Sequence, residues 1–487
     1  MRSMLDRATV ARVLSSTRGR DALTVWTVVF LMSGQGFRYM LGVPLYVALS
    51  LLTLAAVVIG FRDILTSIKV PFLISAFIVL SALSIVWSAT AAVSVVAVFA
   101  MIATTFLAAV TVQAAGTFRF MRLLYRGLQV SLLGGLAFEL VVSVFVRNTL
   151  MPLSGDLGEL AGISSSSSPF VWSENLLFEG GPIQGFVGNR NPFAAIALSA
   201  GIVAMVMFLD GRVRRIDALS TIAFAMLVTG LTRSATALAI IACLAVLVVA
   251  AFAARRLDAQ LSRLVTIGVG LIGLFALLVA TKFRETVLGL FDRGTDLTNR
   301  TGIWDYVSQL AISRPQGWGF VGSWPVWEDP YASIASHTTV RATHAHNAYL
   351  DAWLQLGIAG LVGLVAIVIF LAVRSWRLVH HGTRGDSYIP LGWALLTATL
   401  ALQAFTESRL LVEGGWYLLV ALVLMVPGGV AMSARQPFFV RTGTTSETDL
   451  RLWRKTPTGS PSIGFPAATA DDATEPRLRG DAAPDSL

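Results

Sequence analysis

Apolar runs long enough to form membrane helices recur along this chain, separated by short connections rich in arginine. The hydrocarbon core of a bilayer is about 30 Å thick, so a crossing helix needs about 20 mostly apolar residues. Twelve stretches qualify: 22–41, 43–61, 70–88, 91–113, 124–146, 191–209, 216–232, 235–253, 264–281, 346–373, 388–405 and 414–432. Gly34, Gly36 and Arg38 interrupt the first, which leaves an eleven-span reading open. The pattern predicts an all-α polytopic integral membrane protein of about 12 transmembrane helices.

The connections supply an independent reading. With the N-terminus inside, the even-numbered ones carry Arg62 and Lys69, then Arg119, Arg122 and Arg126, then Arg212, Arg214 and Arg215. Arg255, Arg256 and Arg263 follow, and last Arg374, Arg377 and Arg384. Cytoplasmic loops of membrane proteins collect cations in this way. The expected organisation is a cytoplasmic segment 1–21, a transmembrane domain 22–432 and a cytoplasmic tail 433–487. Residues 1–21 lack a small-residue cleavage site, so they read as retained. The tail is rich in Pro, Thr, Ser and Ala and cannot bury enough apolar surface to fold. Two outward loops are large, 147–190 and 282–345, and the first contains the run Ser164 to Ser168. Loops of that length are usually functional or disordered.

Composition agrees. Of 487 residues, 55% are apolar and 13% charged, against about 25% charged in soluble domains. The net charge of +9 would suit a nucleic-acid partner, but the cations sit in short loops between spans, so none is expected. The lone cysteine, Cys243, can form no disulfide within the chain and reads as a small buried hydrophobe.

Arginines left on the outward face need a reason. Arg190, Arg233 and Arg409 each stand at the mouth of a span. They either snorkel to headgroups or form an anion site, for which the planar, always-charged guanidinium is suited. Three strings narrow the choice. Gly188-Asn189-Arg190-Asn191-Pro192-Phe193-Ala194 precedes a span, where Pro192 fits a first helical turn and Asn191 fits an N-cap. In Asn299-Arg300-Thr301-Gly302-Ile303-Trp304, Arg300 and Trp304 share a helical face. Trp304 then serves either as an interfacial anchor or as part of a phosphate-facing surface. The string ends near Pro315-Gln316-Gly317-Trp318-Gly319. The third string runs from Arg341 through His344-Ala345-His346-Asn347-Ala348-Tyr349-Leu350 to Asp351. A histidine pair there is either a capping feature or a general acid or base. No Cys or acidic pair nearby completes a metal-ligand set, so no metal is expected.

These strings, with Leu356-Gly357 and with Phe405-Thr406-Glu407-Ser408-Arg409 before Trp416, resemble the signatures of the O-antigen ligase and exopolysaccharide polymerase superfamily. The likeness covers about 186–425; the first five spans match in hydropathy alone. It implies a C-type-like, metal-independent inverting glycosyltransferase without a cofactor. Such an enzyme sits in the cytoplasmic membrane with its active face outward. The implied donor is a glycan on undecaprenyl pyrophosphate, and the acceptor a glycan or lipid-linked sugar. Carried over by position, Arg190 and Arg300 would hold the pyrophosphate, and His346 would act on the acceptor hydroxyl. Asn347, His344, Arg341, Trp304, Arg409 and Glu407 would line the substrate site. Two positions depart from the family pattern. Thr232-Arg233-Ser234-Ala235-Thr236 carries its arginine two residues early, and Gln355 stands where an acid is common. The rival class is a transporter or flippase of lipid-linked glycans, with Glu139 as its intramembrane candidate. No internal repeat supports that reading.

Overall fold

The computed structural model describes residues 2–153, 171–257, 260–268, 270, 296–338, 342–380 and 387–426. Helices form where the apolar runs lie. α1 (Arg2–Ser15) and α2 (Thr17–Met32) precede α3 (Gly34–Gly60) and α4 (Phe72–Leu83). α5 (Ala91–Val141), α6 (Arg190–Leu209), α7 (Arg215–Leu231) and α8 (Ala235–Ala254) follow. α9 (Asp296–Ser313) and α10 (Tyr331–Thr338) come from the second large loop. α11 (Ala348–His380), α12 (Ile389–Gln403) and α13 (Glu413–Met425) close the described chain. No strand forms among the described residues; one isolated antiparallel bridge joins Leu150 to Ser173.

Among the described residues, five stretches are long and apolar enough to cross a membrane: Gly34–Gly60, Ala91–Val146, Arg190–Leu209, Ala235–Ala254 and Ala348–His380. Phe72–Trp87, Ile389–Gln403 and Glu413–Met425 are shorter apolar helices. The protein is a multi-pass membrane protein. Its surface fits that setting, since Phe72 (82%), Leu52 (67%), Val96 (68%) and Val249 (70%) expose large apolar side chains that a bilayer would cover. Cys243 is exposed too, which corrects the expectation that it is buried. Inside, Thr27, Ser81, Thr111 and Ser375 return their hydroxyls to carbonyls of their own helices, which satisfies polar atoms that have no water. The predicted ninth span beyond 270, the run Ser164 to Ser168 and the tail from 427 lie outside the described residues.

Several apolar runs are broken by single glycines. Gly42 (φ 76°) divides α3 where the sequence separates its first two spans. Gly116 (φ 68°) divides α5, and the connection expected at 114–123 is otherwise helical.

Contacts between helix ends fall into two sets. Arg20 meets Asp63, Arg119 meets Asp21 at 2.9 Å, and Arg126 meets Asp217 at 3.1 Å. Ser387 donates to Asp210 at 2.6 Å, and Arg255 donates to the Ser387 carbonyl at 2.8 Å. All of these lie in or beside connections expected inside. The other set joins ends expected outside: Arg38 with Glu413, Arg314 with the Trp87 carbonyl at 2.7 Å, and Asn191 with Glu407 at 2.8 Å.

Candidate active site

The site assembles from four segments distant in sequence. Asn189 caps α6 by accepting from the Asn191 N–H at 3.0 Å, which supplies an acceptor for an otherwise unpaired first-turn amide. Arg190 is the first residue of α6. The Asn191 side chain points away from that helix. It accepts from Ser234, the N-cap of α8, at 2.8 Å and donates to Glu407 Oε1 at 2.8 Å. Arg300, on α9, donates to the Thr406 carbonyl at 3.1 Å and lies 3.6 Å from the same carboxylate oxygen. His346 Nδ1 stands 3.9 Å from Glu407 Oε2. Glu407 is 2% exposed, so these groups meet on a carboxylate shielded from water, where charge interactions are strong.

The His344–His346 loop is held on three sides. Trp304 Nε1 donates to the Ala345 carbonyl at 2.8 Å. The Ala345 N–H donates to Asp351 Oδ2 at 3.0 Å, and Trp324 Nε1 donates to Asp351 Oδ1 at 2.7 Å. The Asn347 N–H donates to Ser408 Oγ at 3.2 Å, and the Ala348 N–H to the Ala404 carbonyl at 2.8 Å. Together they hold His346 in the left-handed region at φ 49°, a conformation uncommon outside glycine and asparagine. Such outliers persist only where the surroundings over-determine them.

Behind the loop, the Pro315-Gln316-Gly317 turn enters a break in α11. Trp318 and Gly319 donate to the carbonyls of Leu354 and Gln355, both at 2.9 Å, and Ile358 donates to the Pro315 carbonyl at 3.1 Å. Side chains are excluded there: a Cβ on Gly357 (φ 67°) would lie 2.0 Å from the Pro315 oxygen. Gln355 Oε1 accepts from the N–H groups of Val321 and Gly322 at 2.9 and 3.1 Å, while its Nε2 donates to Asp351 at 3.3 Å. One side chain that must both accept and donate suits an amide better than a carboxylate.

All of the site residues expected from sequence except Arg341 fall among the described residues. His344, His346, Arg300 and Glu407 come together, with Arg190 next to Asn191. Trp304 is packed against the loop core formed by Ile303, Trp324 and Tyr331 and positions the histidine loop. Asn347 uses its side-chain oxygen to cap α11, accepting from Tyr349 and Leu350 at 3.0 and 3.2 Å. Arg409 donates to Gln35 Oε1 and lies 3.8 Å from Glu413. Arg341 lies outside the described residues. Arg233 turns away from the site and donates to the Gly180 carbonyl at 2.9 Å. Glu139, the rival reading's candidate, accepts from Ser173, Gln184 and Gly185 at 2.7, 2.9 and 2.6 Å. Three donors give it a structural role that fastens the 172–189 segment to α5. Sequence reasoning did not single out Asn191, Asp351, Arg38 or Glu413 as site residues. Asn191 and Asp351 were visible within their strings; Arg38 and Glu413 take their meaning from each other, 375 residues apart.

Burial lowers the pKa of His346 well below the usual histidine value, and the neighbouring His344 and Arg300 push the same way. His344 is lowered mainly by burial, against the opposing pull of Glu407 and Asp351. Both shifts favour the neutral ring. His344, His346 and Glu407 bring potential metal-ligand atoms within 4.8 Å of one another, with the acid arriving from a segment the sequence does not place nearby. The set suits a dication poorly. His344 Nδ1 already accepts the His346 N–H at 3.1 Å, so in the neutral ring the proton sits on Nε2. Arg300 also shares the carboxylate.

Residues 218–365 match the family described as O-antigen ligase, which is the family the residue strings resemble. No curated protein matches the chain. The matched segment contains Arg300, His344 and His346, whereas Arg190 and Glu407 fall outside it. Family and apolar helices together support a membrane enzyme of the ligase or polymerase type.

Proposed function

We propose that the chain transfers a glycan from undecaprenyl pyrophosphate to a hydroxyl of a glycan or lipid-linked acceptor. It would do so at the outer face of the cytoplasmic membrane, from a bundle of about 12 spans with a C-type-like fold. The observation that carries this reading is the convergence of Asn191, Arg300 and His346 on Glu407 from separate segments. Arg190 and Arg300 bind the pyrophosphate, and their fixed charges stabilise it as it leaves, a role that needs no metal. His346 is neutral, as a base must be before it acts. Its ring takes the proton from the acceptor hydroxyl while the oxygen bonds to the anomeric carbon and the glycosidic electron pair leaves with the pyrophosphate. A single displacement of this kind inverts the anomeric centre. A positioned base typically contributes about 10² to 10⁴ in rate.

The test is transfer by the purified full-length protein from a polyprenyl-pyrophosphate oligosaccharide. His346→Ala and Arg300→Ala are each expected to lose transfer by at least about 100-fold while still inserting into membranes. Normal transfer by both would refute the assignment. Chelator should leave the rate unchanged, and a large loss would contradict the metal-free mechanism. In cells lacking the protein, accumulated single repeat units would mark a polymerase, and long unattached chains a ligase.

A further inference from the structure

The base proposed above lacks a partner that its surroundings are able to supply. His346 Nδ1 is buried and has no hydrogen-bond partner, an arrangement that costs stability wherever it persists. Glu407 Oε2 stands 3.9 Å away, just beyond hydrogen-bonding reach. The two residues differ in freedom. The backbone at His346 is fixed, with its own N–H on His344 and its neighbours anchored to Asp351, Trp304 and Ser408. Glu407 lines a small cavity together with Gln403, Arg409 and Gly415. What keeps it from the ring is its other oxygen, held by Asn191 at 2.8 Å and attracted by Arg300 at 3.6 Å. Arg300 is the residue that the donor's phosphates would claim.

We propose that Glu407 is a positioning residue for His346, held off by Arg300 in the empty enzyme and closing onto Nδ1 when an anion engages Arg300. This rests on reading His346 as the base. In the closed state His346 Nδ1–H donates to Glu407 Oε2, and the Nε2 lone pair faces the acceptor hydroxyl. When that hydroxyl transfers its proton to Nε2, the imidazolium forms beside a carboxylate, while the pyrophosphate leaves with the glycosidic electrons. Substrate binding thereby switches on the base, so a hydroxyl is activated only when a donor is present. The charged and titratable groups facing the ring are Glu407, Arg300 and His344; Arg409 and Asp351 act on it through His344 and Glu407. Of these, Glu407 is the one whose approach raises the basicity of the ring.

Two measurements on the full-length protein test this. In the first, kcat and KM for a polyprenyl-pyrophosphate oligosaccharide are followed against pH for Glu407→Gln and Glu407→Asp. Glu407→Gln keeps an acceptor but removes the charge. It is expected to lower kcat on the order of 10- to 100-fold and to move the acid limb of kcat to lower pH. The donor KM should change little, and Glu407→Asp should recover part of the rate. An unchanged acid limb with only a lower melting temperature would overturn the proposal and leave Glu407 structural. The second measurement uses the wild-type protein labelled with ¹⁵N-histidine, the His346 signal being assigned by its loss in His346→Gln. Inorganic pyrophosphate should move the Nδ1 resonance toward a hydrogen-bonded N–H; an unmoved resonance at saturating pyrophosphate overturns the switch. The underlying reading fails separately. Transfer retained by His346→Ala removes the base itself, whereas a dead His346→Ala beside a fully active Glu407→Gln removes only the positioning role.

Discussion

At the scale of single residues, the site is organised by how much its groups are kept from water. His346 is drawn below the usual histidine pKa first by burial and then by His344 and Arg300. The sign of the consequence is fixed. The unfolded chain binds a proton near pH 6.5 while the folded ring resists it, so the protonation difference costs no stability above that pH. As pH falls below it, the unfolded state is increasingly favoured until the folded ring also protonates. Transfer should follow the same ring: the acid limb of kcat/KM is expected to have its midpoint below the usual histidine value. A midpoint above it, measured over a pH series with enzyme that remains folded, would mean that another group limits the rate. The strings and the family they resemble bring His346, Arg300 and Glu407 forward as candidate site residues. The role of Glu407 as the meeting point is not, because Asn191 lies 216 residues away and nothing in either string specifies the other. The fit of an amide at 355 is hidden too, because Gln355 bridges two N–H groups, 33 and 34 residues away, and the Asp351 carboxylate.

At the scale of elements, the apolar runs predict helices well because a crossing segment has a length set by the bilayer. They do not predict where those helices break. A glycine inside an apolar run is compatible with a span interior, and Gly116 and Gly357 are both breaks whose φ is positive. At Gly357 the break is occupied by the Pro315-Gln316-Gly317 turn, which replaces helical hydrogen bonds with its own. Gly357→Ala would combine a strained backbone with a Cβ placed against the Pro315 oxygen. The expected loss is on the order of 3 kcal/mol, read as a lower melting temperature in detergent; an unchanged melt would show that the turn is not seated there. The start of α11 carries a second expectation. Asn347 caps the helix, so Asn347→Ala should cost about 1 kcal/mol while Asn347→Ser keeps most of the stability. Were Asn347→Ser stable but inactive, the side chain would have to touch substrate as the family resemblance implies.

At the scale of the whole molecule, the division of contacts into two ends follows the division of arginines among the connections. That is why the charge pattern is informative beyond any single loop. Arg38 is the instructive exception, since within an apolar run it looks like an interruption. Its guanidinium meets Glu413, 375 residues away, and Tyr46 donates to the same carboxylate at 3.2 Å. Gly34 makes the space, because a Cβ there would lie 2.8 Å from the Glu413 carboxyl. The residues that weaken the first run as a span are therefore those that tie α3 to α13, next to the Arg409 end of the site. The ion pair is partly shielded, with side chains 29% and 15% exposed, so its loss should fall between the exposed and buried limits. Arg38→Met is expected to cost on the order of 2 kcal/mol, because it strands much of a carboxylate's charge away from water. Combining it with Glu413→Gln should cost less than the two single changes added together, since the second change removes the group that the first left unpaired. Melting temperatures of the four proteins in one detergent measure that difference directly. Additive losses would mean that the ends are held by apolar packing alone and that Arg38 contributes nothing to joining them.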